Sequence, residues 1–217
     1  MTDFNAARVH MVESQLRPAG VTDERVLAAM AAVPRERFVP ETLQGVAYID
    51  EDLPLGGGRH LMEPAVFARL LQAAAIKPTD VVLDIGPASG YSTAVLARLA
   101  AAVVAVESDA KLRDQATALL ADLGIDNAAL IDGRLGDGDP EQAPFDVIVL
   151  SGAVDQLPPA LCDQLADGGR LVAVIGKAPL GRSTLIERDG DVLARRRLFD
   201  AAVPSLPGFQ VERGFVF

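Results

Sequence analysis

The chain has 217 residues, half of them hydrophobic, with a formal net charge of −10, so one generous domain with a sizeable core is expected. Its acidity argues against nucleic acid and anionic membranes as main partners, since both need a positive face. The single cysteine, Cys162, excludes an intrachain disulfide and a cysteine-type zinc site, and the lack of a signal-peptide layout or a long apolar run predicts a soluble, cytoplasmic protein.

From about Ala6 to Ala32 the pattern is helical, with Val9, Val12 and Leu16 on one face and a break at Pro18 and Gly20. The second helix is predicted to start from Thr22 as N-cap, with Asp23 and Glu24 in its first turn. VPRERFVP reads as an irregular segment between two prolines. LGGGRHLMEP, residues 55–64, reads as a loop, and Pro64 opens a further helix.

A strict alternation follows. VVLDI, AVVAVES, AALI, DVIVLS and RLVAVI read as buried strands, with helices predicted in STAVLARLA, KLRDQATALLADLG and PPALCDQLA. Strands alternating with helices imply an α/β fold, a Rossmann-like doubly wound parallel sheet. After Gly176 the rhythm changes to a hairpin around Asp189-Gly190 and a last apolar strand in FQVERGFVF. The expected division is a helical addition with a substrate loop over 1–63, a cofactor-binding core over 64–176, and C-terminal antiparallel strands over 177–217.

Ligands of such sheets bind outside the carboxyl ends of the strands. The first core strand runs into DIGPASGYS, where Gly86 permits a tight turn and Gly90 permits close packing of the next helix. The second ends at Glu107, placed to accept hydrogen bonds from ribose hydroxyls. Ala88 and Tyr91 stand where the dinucleotide fingerprint needs glycine, so the loop suits a nucleoside without pyrophosphate, such as S-adenosylmethionine.

The blocks MVESQL, VLAAMAAVPRERFVP, AYIDEDLPLG, DIGPASGYSTAVLARLA, AVES, APFDVIVLSGA and LPPALCDQLADGGRLV carry a resemblance that spans nearly the whole chain. The sequence resembles protein-L-isoaspartate O-methyltransferases. The resemblance implies an S-adenosylmethionine-dependent carboxyl methyltransferase that repairs damaged proteins by methylating isoaspartyl carboxylates. It also implies a cofactor site formed by Asp84, Gly86, Ala88, Ser89, Gly90, Glu107, Asp132, Gly133 and Ser151, with a protein or peptide carboxylate as partner.

Three departures from the family pattern concern the site. After LPLG the family usually runs G-Q-T-I-S-x-P, whereas here Arg59 replaces the glutamine and His60 and Met62 replace the two hydroxyl residues. Ala88 replaces the middle glycine of the cofactor loop. DGRLGDG replaces a simple G-D-G, so Asp132 or a shifted residue meets the adenine. Together with Arg134, these departures define a competing expectation, a cofactor-binding but non-catalytic relative.

Within the loop, Arg59 is expected either to pair with a substrate carboxylate or to be solvated. His60 reads equally as a substrate contact or a histidine bonded to a backbone carbonyl. Met62 reads as an apolar plug in the place of the family serine. A metal on His60 and Glu63 lacks further ligands, His10 being the only other histidine, so no metal is expected. Asp50 and Asp52 either orient the loop or are solvated. Cys162 reads as core, and Arg195–Arg197 as an exposed hairpin cluster.

Overall fold

Near-continuous apolar runs in the central strands give the sheet two buried faces. The structure, a computed structural model, describes residues 3–177 and 179–210. Its centre is a seven-stranded sheet made from β3 (Val81–Ile85), β4 (Ala102–Glu107), β5 (Ala128–Asp132), β6 (Phe145–Val154), β7 (Leu165–Ile175), β8 (Arg182–Asp189) and β9 (Val192–Asp200), in the order β5-β4-β3-β6-β7-β8-β9. The pairs from β5 to β7 are parallel, and β7-β8 and β8-β9 are antiparallel. The strand order reverses between β3 and β6, which places the ligand crevice at their carboxyl ends.

On one face, Val82, Val103, Val147, Val149, Val172 and Val174 join the larger core. Successive residues point to opposite faces, so Leu83, Val104, Ile148, Leu150, Leu171 and Ala173 form the second core. The larger core also takes in the N-terminal helices α1 (Phe4–Met11) and α2 (Glu24–Ala32), together with α3 (Pro64–Ala74). Cys162 lies in the second core, in the short helix α6 (Pro159–Asp163), and burial pushes its thiol pKa up. That environment suits packing and disfavours a thiolate nucleophile.

Sequence and structure part company at several local points. The N-cap of α2 is Asp23, whose carboxylate accepts from the backbone N–H groups of Arg25 and Val26, and Thr22 lies outside the helix. A carboxylate at that position also complements the helix dipole. VPRERFVP contains a 3-10 turn, Arg35–Phe38. LGGGRHLMEP begins within a hairpin, β1 (Leu53–Gly56) with β2 (Arg59–Leu61), which among the described residues pairs only with itself. The hairpin predicted around Asp189-Gly190 is formed by β8 and β9, and Arg195, Arg196 and Arg197 are exposed on it. The last apolar strand falls largely on residues 211–217, outside the described residues.

Helix α4 (Tyr91–Leu96) follows Gly90, whose φ is +89°, and a Cβ built there meets the Ala116 Cβ of α5 (Ala110–Asp122) at 2.9 Å. Gly124 also has a positive φ, +69°, yet nothing lies within 4 Å of its added Cβ. The left-handed conformation alone costs an L-residue roughly 1–2 kcal/mol, and overlap adds to this only at Gly90. Gly90→Ala is therefore expected to lower unfolding stability by about 2 kcal/mol or more, and Gly124→Ala by about 1 kcal/mol. Urea denaturation of the two variants checks the difference; equal losses would remove the packing role of Gly90.

Candidate cofactor and acceptor site

Two carboxylates end the adjacent strands β3 and β4. Asp84 is fully buried and accepts three hydroxyl bonds: from Ser92 at 2.7 Å, Thr93 at 2.8 Å and Ser151 at 2.8 Å. Burial pushes its pKa up to about 6, against the lowering effect of those hydroxyls. Ser92 and Thr93 stand in the first turn of α4, so helix, β3 and β6 all meet on one carboxylate. The hydroxyl pair was readable in the run GYST, but its target was not.

Glu107 is also fully buried. Its Oε2 accepts the Ala88 N–H at 2.9 Å, and its Oε1 accepts the Asp109 N–H at 3.0 Å and the Arg59 guanidinium at 2.5 Å. The second guanidinium nitrogen donates to the Gly86 carbonyl at 2.8 Å. Arg59 is thus neither solvated nor turned to an acceptor position. It is 4% exposed, forked between the acidic strand end and the glycine turn. Sequence reasoning placed both ends of this pair in the site and missed that they meet.

The cofactor loop keeps its special backbone. Gly86 (φ +74°), Ala88 (φ +52°) and Gly90 are left-handed, so Ala88 holds a strained conformation that a glycine would adopt freely. A Cβ added at Gly86 meets Leu206 at 2.8 Å and Arg59 at 3.1 Å. Leu206 belongs to the segment after β9, held to the end of β6 by the bonds Ala153 N–H to the Pro204 carbonyl and Leu206 N–H to the Ala153 carbonyl. No short-range pattern announces that return. The Ser89 Oγ is buried without a hydrogen-bond partner among the described residues.

Beyond Glu107, a cleft of about 180 Å³ is lined by Ser108, Arg134, Leu135, Gly136, Asp137, Pro207 and Gly208. Asp132 is exposed and paired with Arg113 at 2.7 Å, whereas the shifted turn at Asp137 borders the cleft. Gly133 follows Asp132, and its added Cβ meets Val106 at 3.0 Å.

On the other side, His60, Met62 and Ser151 line two small cavities, one shared with Tyr91 and Phe67 and one with Pro204 and Ser205. Met62 is 5% exposed, in keeping with a plug. The His60 Nδ1 is buried without a hydrogen-bond partner among the described residues. Among the described residues no group of three or more His, Cys, Asp or Glu is arranged to hold a metal, and no helix is long and apolar enough to cross a membrane.

The support for this region comes from the N-terminal segments. The Arg35 guanidinium, fully buried, donates to the carbonyls of Ala47 (2.7 Å) and Met62 (2.8 Å) and stacks over Tyr91 at 4.8 Å. Asp52 accepts the Glu63 N–H and Asp50 the Ala65 N–H, both at 2.9 Å, so the two carboxylates cap the start of α3. These aspartates therefore orient the loop. Burial, together with the charges of Asp52, Asp50 and Glu51, pushes Glu63 up to about 7.

Both Asp84 and Glu63 have folded-state values above their ordinary ones, so the folded protein holds more protons between about pH 4 and 7. The associated stability is fully present below the ordinary values and is lost as pH rises through about 6 and about 7. Glu63→Gln is expected to flatten the upper part of that fall, measured by urea unfolding at several pH values. An unchanged profile would show that Glu63 titrates normally.

An acidic strand end facing a glycine turn at the switch point defines a nucleotide- or nucleoside-binding protein of the doubly wound class. The family model for protein-L-isoaspartate(D-aspartate) O-methyltransferase matches residues 7–200. A protein-L-isoaspartate O-methyltransferase of Koribacter versatilis (strain Ellin345) is 41% identical over 97% of this chain and 95% of its own length. One from Methylorubrum extorquens (strain PA1) is 46% identical over 85% of this chain and 79% of its own. A solved protein-L-isoaspartate O-methyltransferase superposes with TM-score 0.80 at 26% identity, covering 93% of this chain and 66% of that longer chain. A Plasmodium falciparum structure in complex with S-adenosyl-L-homocysteine shares the fold, with TM-score 0.79 at 23% identity over 95% of this chain and 99% of that one. The chain belongs to the protein-L-isoaspartate(D-aspartate) O-methyltransferase family.

Proposed function

We propose that this chain is an S-adenosylmethionine-dependent carboxyl methyltransferase acting on isoaspartyl or related carboxylates of damaged proteins. The observation that carries the reading is Glu107 beside the Gly86 turn, in a chain whose family match spans residues 7–200. The residues fit a nucleoside: a carboxylate for the ribose diol, a left-handed loop admitting close backbone approach, and the unpartnered Ser89 hydroxyl. On this reading Glu107 holds the ribose, the loop from Gly86 to Gly90 holds the methionine end, and the turn at Asp137 meets the base. A role in protein repair in the cytoplasm accords with the family and with the absence of a spanning helix among the described residues.

When bound, S-adenosylmethionine supplies a methyl group on a positively charged sulfur. The acceptor carboxylate needs no general base, because an aspartyl-type acid with a pKa of about 4 is already ionised at neutral pH. The protein's task is then to align the acceptor and exclude water. Here the crevice is poor in free donors. The Ser151 hydroxyl is committed to Asp84, Met62 offers none, and the His60 Nδ1 is the unpartnered polar atom at that wall.

Met62→Ser adds one hydroxyl donor beside the acceptor. A hydrogen bond to a charged group is worth roughly 1.5–3 kcal/mol, so isoaspartyl turnover is expected to rise about tenfold or more, while His60→Ala lowers it. Methyl-ester formation on an isoaspartyl peptide, read as released methanol, measures both. Ester formation by the unmodified protein that Met62→Ser leaves unchanged would remove Met62 as the limiting residue. Tight cofactor binding without ester formation in either protein would favour the non-catalytic relative.

A further inference from the structure

An ionised carboxylate offers about four acceptor positions. Glu107 spends three of them on Ala88 N–H, Asp109 N–H and Arg59, and none of its surface reaches solvent. A ribose diol presents two donors to such a carboxylate. It cannot be received while the Arg59 guanidinium remains, and the same guanidinium also occupies the Gly86 carbonyl.

The element that carries Arg59 lies apart from the main sheet and ends in an open glycine turn. Among the described residues the β1–β2 hairpin pairs only with itself, outside the seven-stranded sheet. Its tip is Gly56, Gly57 and Gly58, all left-handed (φ +90°, +59° and +76°), with nothing within 4 Å of their added Cβ positions. Arg59 is the next residue. A free glycine tip beside a deeply inserted side chain lets that side chain withdraw without disturbing the core.

We propose that Arg59 is an internal competitor for the ribose seat, and that nucleoside binding exchanges the guanidinium for the ribose diol on Glu107. This rests on the cofactor reading given above. The chain thereby keeps a buried carboxylate paired when no nucleoside is present, since an unpaired buried charge is costly. Apparent affinity is reduced by the fraction of molecules in which Arg59 is withdrawn. Arg59 is thus a specificity-determining residue: a ligand gains entry only if its donors take the place of the guanidinium on Glu107.

The test is calorimetric titration of S-adenosyl-L-homocysteine into the whole chain and into Arg59→Gln. Binding is expected to tighten about tenfold or more in the variant, the gain corresponding to an arginine-out population of one in ten or less. Binding to both proteins with equal affinity, or more weakly to the variant, overturns the exchange and leaves the cofactor reading standing. Binding to neither overturns both. Should Arg59→Gln fail to fold, the unmodified protein still decides. Its Arg59 guanidinium N–H signals, assigned by their absence in Arg59→Lys, are protected from solvent without ligand and are expected to lose protection at saturating S-adenosyl-L-homocysteine. Protection retained in the complex overturns the exchange.

Discussion

Two carboxylates buried side by side, Asp84 and Glu107, impose the arrangement around the site. Taking an ion out of water costs several kcal/mol unless hydrogen bonds and opposite charge replace hydration. Asp84 meets that demand with three hydroxyls drawn from α4 and β6, and its raised pKa of about 6 shows that they offset burial only in part. Glu107 meets it with two backbone N–H groups and a guanidinium. The difference matters. Hydroxyls from α4 and β6 fix Asp84 as scaffold, whereas the strongest partner of Glu107 sits on a separate hairpin and is replaceable.

The hairpin is in turn positioned by charge satisfaction further out. Arg35 draws together the carbonyls of Ala47 and Met62, residues on either side of the hairpin, and stacks on Tyr91 at the start of α4. Asp50 and Asp52 fasten the start of α3 behind it. The base of β1–β2 is therefore clamped and its glycine tip is free. That asymmetry turns a short two-stranded sheet into an arm that reaches over the strand ends.

The sheet was legible because its strands are apolar runs separated by helices with clear caps, a pattern that depends on local sequence alone. Gly86, Gly90 and Glu107 were legible for a related reason: each sits at a strand or helix end, where position and residue type together state a backbone or acceptor role. The β1–β2 hairpin was not. A strand of three residues, Arg59–Leu61, is too short to show alternation, and the glycines that form its turn read equally as a loop. The return of Leu206 to Gly86 was illegible for another reason, since it joins segments 120 positions apart whose contact no period encodes. The choice between Asp132 and a shifted residue was open in the sequence because two turns follow β5, and packing puts Asp137 of the second turn at the border of the cleft.

The departures from the family pattern at Arg59 and His60 fall in β2, and that at Met62 falls on the residue that follows it. A substitution inside β3 or β4 would disturb one buried core or the other, since successive residues face opposite sides of the sheet and both sides are packed. Among the described residues the hairpin has no partner strand in that sheet, so a change of side chain on it leaves the pairing of the sheet intact. Arg59 used that freedom to reach a carboxylate the fold had already buried, and Met62 used it to fill the wall beside Ser151 and Tyr91. One change adds a donor where ribose oxygens are expected, and the other leaves the acceptor wall without one. On the proposed reading of the site, both side chains fill places that would otherwise meet a ligand, the direction of a stability–activity trade-off.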